Sequence, residues 1–195
     1  MTPTEFVSDL ASVSDVERTE LATVDRALAK QGLRRLARGR SRPDINLMEG
    51  IQILCAWAGA KKLTDAAQEI ERQRNFVVSR DHEADELGVV YEFDTEYLEL
   101  LGGSLRELSG RNFLEIVAIV AEQLREGAYP EKDVWLSIEK GGSVEVVHKH
   151  KGGDQTIYFT DLNKKTLFQP RPHVTINVVI EGPVLKWIHD KTEGA

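Results

Sequence analysis

Cysteine is nearly missing from this chain. A single residue, Cys55, excludes an internal disulfide and leaves no CxxC pair for a zinc site. Long apolar runs are missing too. The longest lie near Ile53 to Ala60 and Ile116 to Ala121, far short of the ~20 residues a membrane-spanning helix needs. No charged n-region followed by an apolar h-region opens the sequence, so a cytoplasmic location is the default expectation. There is no P-loop, no GxGxxG, no GxSxG and no HExxH. We therefore expect no enzyme, no catalytic residue, no cofactor and no bound metal. The 195 residues suit one domain of ordinary size or two small ones, and 41% hydrophobic with 29% charged residues describes a folded chain rather than a disordered one.

What is present is an uneven distribution of charge. The net charge is −7, yet Arg26 to Arg42 holds seven basic residues and no acid, which leaves −14 on the rest. A cationic segment on an anionic body reads as a surface that meets a polyanion, most often nucleic acid. Just before and within it, Leu21, Val24 and Leu28 form one stripe of an amphipathic helix, while Thr23, Arg26 and Lys30 repeat the same spacing on another face. Gln31-Gly32 ends that helix, and Gly39 permits a turn in the basic stretch that follows. On this reading Thr23, Arg26 and Lys30 reach base edges. Arg34, Arg35, Arg38, Arg40 and Arg42 contact phosphate.

The segment Ser14 to Arg42 resembles a winged helix-turn-helix. The phrase Ala22-Thr23-Val24-Asp25-Arg26-Ala27-Leu28, followed by Gln31-Gly32-Leu33, is similar to the second helix of many bacterial regulators, with the step into the wing after it. An N-terminal module of this kind before Pro43-Asp44 and a long helical segment resembles proteins encoded in prophages and phage-like elements. The resemblance covers about a fifth of the chain. It implies sequence-specific binding of double-stranded DNA by a transcriptional regulator. A second stretch, Leu63 to Ile70 with Val78-Ser79-Arg80 and Glu86-Leu87-Gly88-Val89 after it, resembles the helix-turn-helix of LysR-type regulators.

Taken in order, the chain reads as α+β in three segments. Residues 1-43 form the winged helix-turn-helix module. It starts with a helix capped by Thr2 and Glu5 and striped by Phe6, Leu10 and Val13; Ser14-Asp15 can cap the helix after it, and the turn falls in Val16 to Glu20. Residues 44-130 form a helical core and oligomerisation region. Asp44 or Asn46 caps a helix stopped by Gly59, Asp65 to Arg74 is another, Asp94 caps one to Leu101, and Asn112 to Glu126 is the last. Phe76 to Val78 and Val89 to Tyr91 suit short strands around the acidic run Asp81 to Glu86, which reads as a solvated loop rather than a carboxylate site. Residues 131-195 form an antiparallel β region. Its strands are Val134 to Ile138, Val144 to His148, Thr156 to Thr160, Val174 to Ile180 and Val184 to Ile188, the last two flanking Gly182-Pro183. His148 and His150 share a strand face but lack a third ligand, and read as a polar strand end.

The expected partners are double-stranded DNA and a second copy of the chain, a homo-oligomer with a dimer favoured, since symmetric DNA sites need paired recognition helices. The C-terminal sheet is a possible surface for a protein partner. Two other readings use the same features. Small terminase subunits of phages also place an N-terminal helix-turn-helix before an oligomerising helical region and a β element, in a ring that recognises DNA for packaging. A protein-interaction or inhibitor module would instead turn the basic block toward an acidic partner.

Overall fold

The computed structural model describes residues 1-36, 43-78, 97-98, 103-104, 108, 110-150, 153-161 and 175-193. Its described elements are mixed helix and sheet, with helices early and strands late. Helix α1 (Pro3–Ser14) carries the expected capping box, Thr2 with Glu5. Asp15 then takes a left-handed φ of 52°, and Val16 N–H donates to the Ala11 carbonyl at 3.0 Å, which closes the helix end. Helix α2 (Arg18–Lys30) starts three residues earlier than the sequence pattern suggests, so Arg18 to Glu20 are helical and not part of the turn. At its far end Gly32 has φ 75°. Gly32 N–H donates to Ala29 and Leu33 N–H to Leu28, a Schellman closure that needs glycine at this place.

Helix α3 (Leu47–Gly59) is the centre of the fold, with ten of its thirteen residues buried. Asn46 and Glu49 form its capping box. Gly50 lets two helices approach it: a Cβ there would lie 2.8 Å from Phe6 of α1 and 2.9 Å from Ile188 of the last helix. A 3-10 turn (Leu63–Asp65) leads into α4 (Ala66–Arg74). Strand β1 (Phe76–Val78) follows. A two-stranded hairpin pairs β2 (Tyr97–Leu98) with β3 (Gly103–Ser104). Tyr97 and Leu98 are therefore extended, not part of a helix from Asp94 to Leu101, and Gly103 belongs to a strand pair rather than a helix stop. Helix α5 (Phe113–Arg125) is capped by Asn112 with Glu115.

The sheet is antiparallel throughout, in the order β1-β6-β5-β4-β7. Strands β4 (Val134–Glu139), β5 (Val144–His150), β6 (Gly153–Asp161) and β7 (Asn177–Glu181) make four of its members. The strict alternation of burial along β4 shows one face on the core and one toward solvent. Thr175 and Ile176 precede β7, so that strand is shorter than the expected one. Val184 to Ile188 is not a strand. It lies in α6 (Gly182–Glu193), where Leu185, Ile188 and His189 are buried at helical spacing. The apolar residues of this stretch fit both periods, and docking against α3 and α5 selects the helix.

Phe6, Leu10, Leu21 and Leu28 of the first two helices, Ile51 and Leu54 of α3, Phe113 and Ile116 of α5, Leu136 of β4 and Ile188 of α6 belong to one hydrophobic cluster. Segments 1-43, 44-130 and 131-195 all contribute to it. The expected strand Val89 to Tyr91, the acidic run Asp81 to Glu86 and the later part of the LysR-like stretch lie outside the described residues. Within the described part of that stretch, α4 is followed by strand β1 rather than by a second helix. Among the described residues, no helix is long and apolar enough to cross a membrane.

Candidate nucleic-acid interface

Helix α2 buries Leu21, Val24 and Leu28 and turns Thr19, Thr23, Arg26 and Lys30 the other way. Those four positions are spaced 4, 3 and 4 residues apart and form one ridge along the helix. The ridge is ordered by its own contacts. Thr23 Oγ1 donates to the Thr19 carbonyl at 2.8 Å. Arg26 Nε donates to the Ala22 carbonyl at 3.1 Å, and Arg26 Nη2 donates to Thr23 Oγ1 at 3.2 Å. Arg26 and Lys30 are exposed and form no ion pair with any described residue.

A cleft lies on each side of the ridge. The larger, about 810 Å³, runs between α2 and α4. Thr23, Arg26, Lys30 and Gln31 line one wall, and Thr64, Gln68 and Glu71 the other. Glu71 is engaged by Arg74 at 2.8 Å, so the cations of the α2 wall face a carboxylate that already has a partner. The smaller cleft, about 390 Å³, lies between the first turns of α1 and the first half of α2; Thr23 and Arg26 border it as well. The helix therefore stands between two depressions, with its polar residues uppermost.

The structure separates the arginines that the sequence pattern groups together. Arg34 is an internal residue. Its Nε lies against Asp25 Oδ1, and the two side chains are only 11% and 13% exposed. Burial raises the Asp25 pKa, and the attraction of Arg34 does not offset it. Arg35 is tied to Glu49 of α3. Its backbone N–H donates to Glu49 Oε1 at 2.7 Å, its Nε to the same oxygen at 3.1 Å, and its Nη2 to Oε2 at 3.0 Å. The same Nη2 also donates to the Asp44 carbonyl at 2.7 Å. Residues 35 and 44 are thus clasped, fixing both ends of the stretch that carries the remaining arginines. Arg38, Arg40 and Arg42 lie outside the described residues.

Four residues of this region escape a reading of the sequence. Asp25 and Glu49 neutralise two of the seven cations, and Gln68 and Thr64 supply the facing wall of the larger cleft. Glu49 is visible beforehand only as the capping partner of Asn46; the charge pattern gives no sign that it also receives Arg35. Elsewhere, His148 is buried and stacks edge-on against Tyr129 at 4.9 Å. Among the described residues no group of three or more His, Cys, Asp or Glu is placed to hold a metal ion.

No protein-family model matches the chain, no curated protein matches it, and no solved structure matches its fold.

Proposed function

We propose that this protein binds double-stranded DNA through the exposed ridge of α2, in a sequence-specific manner and as a regulator of transcription. The observation that carries the reading is the ridge itself: Thr23, Arg26 and Lys30 stand uppermost on a helix between two clefts, and the two cations have no carboxylate partner among the described residues. A helix that enters a major groove must protrude in this way, with room on both sides for the phosphate walls. In this reading α1 and α2 are the two helices of a helix-turn-helix, and the stretch after Leu36 is its wing. Arg26 and Lys30 contact the duplex directly. Arg34 and Arg35 act as positioning residues that anchor the base of the wing, and Arg38, Arg40 and Arg42 remain the phosphate contacts.

The test is duplex binding measured against salt for the wild type and for R26A/K30A. A steep fall of log K with log salt is expected, with the slope reduced by roughly 2 in the double variant. Weak binding that ignores both salt and the substitutions would overturn the proposal.

A further inference from the structure

The sheet has two edges, and the chain treats them differently. At the β1 edge, Val77 bridges to Asn112, and Val78 N–H donates to the Arg111 carbonyl at 3.1 Å. At the β7 edge no described strand pairs on the outer side. Edge strands that stay single are ordinarily guarded by charged side chains, above all lysine, by proline or by a bulge. Asn177-Val178-Val179-Ile180-Glu181 contains no lysine or proline, carries its one charge, Glu181, only at its last position, and pairs with β4 in unbroken register. Two of the four large hydrophobic side chains exposed on the described surface belong to this edge: Ile176 and Val179, each 59% exposed.

We infer that β7 pairs antiparallel with β7 of a second copy of this chain, about a two-fold axis at Val179. That register sets Val179 against Val179, Val178 against Ile180 and Asn177 against Glu181. The helix-side residues Val178 and Ile180 then extend the buried face from one copy to the next. The exposed Val179 side chains cover each other, and the one charge of the strand meets an amide rather than its own copy. The neighbouring registers are poorer. An axis at Val178 sets Val179 against Asn177, and an axis at Ile180 sets Val179 against Glu181. The two sheets would join into one of ten strands, with an isologous interface as a two-fold dimer requires.

The test uses the full chain in a dilution series with mass from light scattering. The wild type is expected to dimerise as concentration rises. V179K, which places like charges face to face at the axis, is expected to stay monomeric with an unchanged unfolding midpoint, because residue 179 is exposed in the single chain. V179C is expected to form a disulfide-linked dimer on mild oxidation, since directly opposed residues lie within disulfide reach, whereas N177C is not. Cys55 is fully buried and does not compete. A wild type that is monomeric at every concentration would overturn the inference and leave the edge to a strand from another protein. A dimer indifferent to V179K, or one that cross-links through N177C and not V179C, would overturn it too. DNA binding by R26A/K30A is a separate readout, so either proposal can fail while the other stands.

Discussion

Arg35 and Glu49 form the joint between the basic stretch and the central helix. The Glu49 carboxylate is 6% exposed and accepts four hydrogen bonds: three from Arg35 and one from the backbone N–H of Asn46 at 3.1 Å. A carboxylate this deep is tolerable only when its lone pairs are filled. Replacing it by an isostere removes the charge that Arg35 meets while keeping the shape. E49Q is therefore expected to lower stability by about 2 kcal/mol, the usual size for hydrogen bonds to a charged group. Urea unfolding at neutral pH measures it, with the slope m unchanged if only the native state is affected.

The same carboxylate gives stability a defined dependence on acid. Burial pushes the Glu49 pKa up, but the hydrogen bonds from the Arg35 side chain and from the backbone of Arg35 and Asn46 outweigh burial and hold it below the ordinary value of 4.5. A carboxylate with a lowered folded pKa stabilises above its unfolded pKa, and that contribution fades as pH falls through the folded value. Thermal unfolding followed downward from pH 6 should show the wild type losing stability below about pH 4.5, more steeply than E49Q, which has no proton to bind there. Parallel curves would show that Glu49 does not titrate differently in the two states.

Asp25 should behave with the opposite sign. Its pKa is raised chiefly by burial, so its ionised form is disfavoured in the folded chain even beside Arg34. Stability associated with such a group is present below the ordinary aspartate range and is lost as pH rises through the folded value. D25N removes a carboxylate whose ionised form burial disfavours but leaves the largely buried Arg34 without its counter-charge, so it is expected to cost less stability at pH 7 than R34A. R34A, by contrast, leaves a largely buried carboxylate without its counter-charge and should destabilise. The pair is checked by chemical unfolding of both variants and the double variant, since residues in direct contact will not add.

How much of this was legible beforehand depends on how local the cause is. The capping box Asn46–Glu49, the glycine stop after α2 and the period-two strands β4 to β6 are written in residues two to four apart, and the structure shows them. The apolar run at Val184 to Ile188 fits strand and helix alike. Contact with α3 and α5 decides it, and those partners are at least 59 positions away in sequence. The ridge Thr23, Arg26 and Lys30 follows from helical spacing. The capture of Arg34 and Arg35 does not, because Asp25 and Glu49 sit just outside the acid-free block, and only the fold brings Glu49 back across 14 positions.

Gly59 closes α3 against a polar cluster that joins three elements. Gln73 donates to the Cys55 carbonyl at 3.1 Å and to Glu69 Oε1 at 2.8 Å. Arg72 bridges Glu69 to the Gly142 carbonyl in the β4–β5 turn and lies over the Phe76 ring at 4.8 Å. Gly141 N–H also donates to the Gly59 carbonyl at 2.8 Å. A Cβ at residue 59 would meet Glu69 Oε1 at 2.2 Å and Gln73 Nε2 at 2.6 Å, and both atoms are held by other bonds. Alanine in a helix is ordinarily better than glycine by about 1 kcal/mol. Here the overlap should reverse that, with G59A less stable by roughly 1–3 kcal/mol. A G59A variant as stable as the wild type would mean that Glu69 and Gln73 yield freely.

The arginines of the basic block should divide by assay. R26A removes an exposed side chain bonded only to its own helix, so its unfolding midpoint should stay within about 0.5 kcal/mol of the wild type, the usual range for surface substitutions. Its effect should appear in DNA binding. R35A removes the clasp on Glu49 and Asp44, and should lower stability by about 2 kcal/mol because a buried carboxylate loses two of its four donors, the Arg35 Nε and Nη2, and keeps only backbone N–H groups. Lysine at 35 restores the charge but not the fork that reaches Glu49 and the Asp44 carbonyl together, so R35K should recover part of the stability at most. If R35A weakens binding without any loss of stability, Arg35 contacts the duplex itself. If it lowers both, and binding recovers under conditions where the variant is fully folded, Arg35 acts by holding the base of the basic stretch in place.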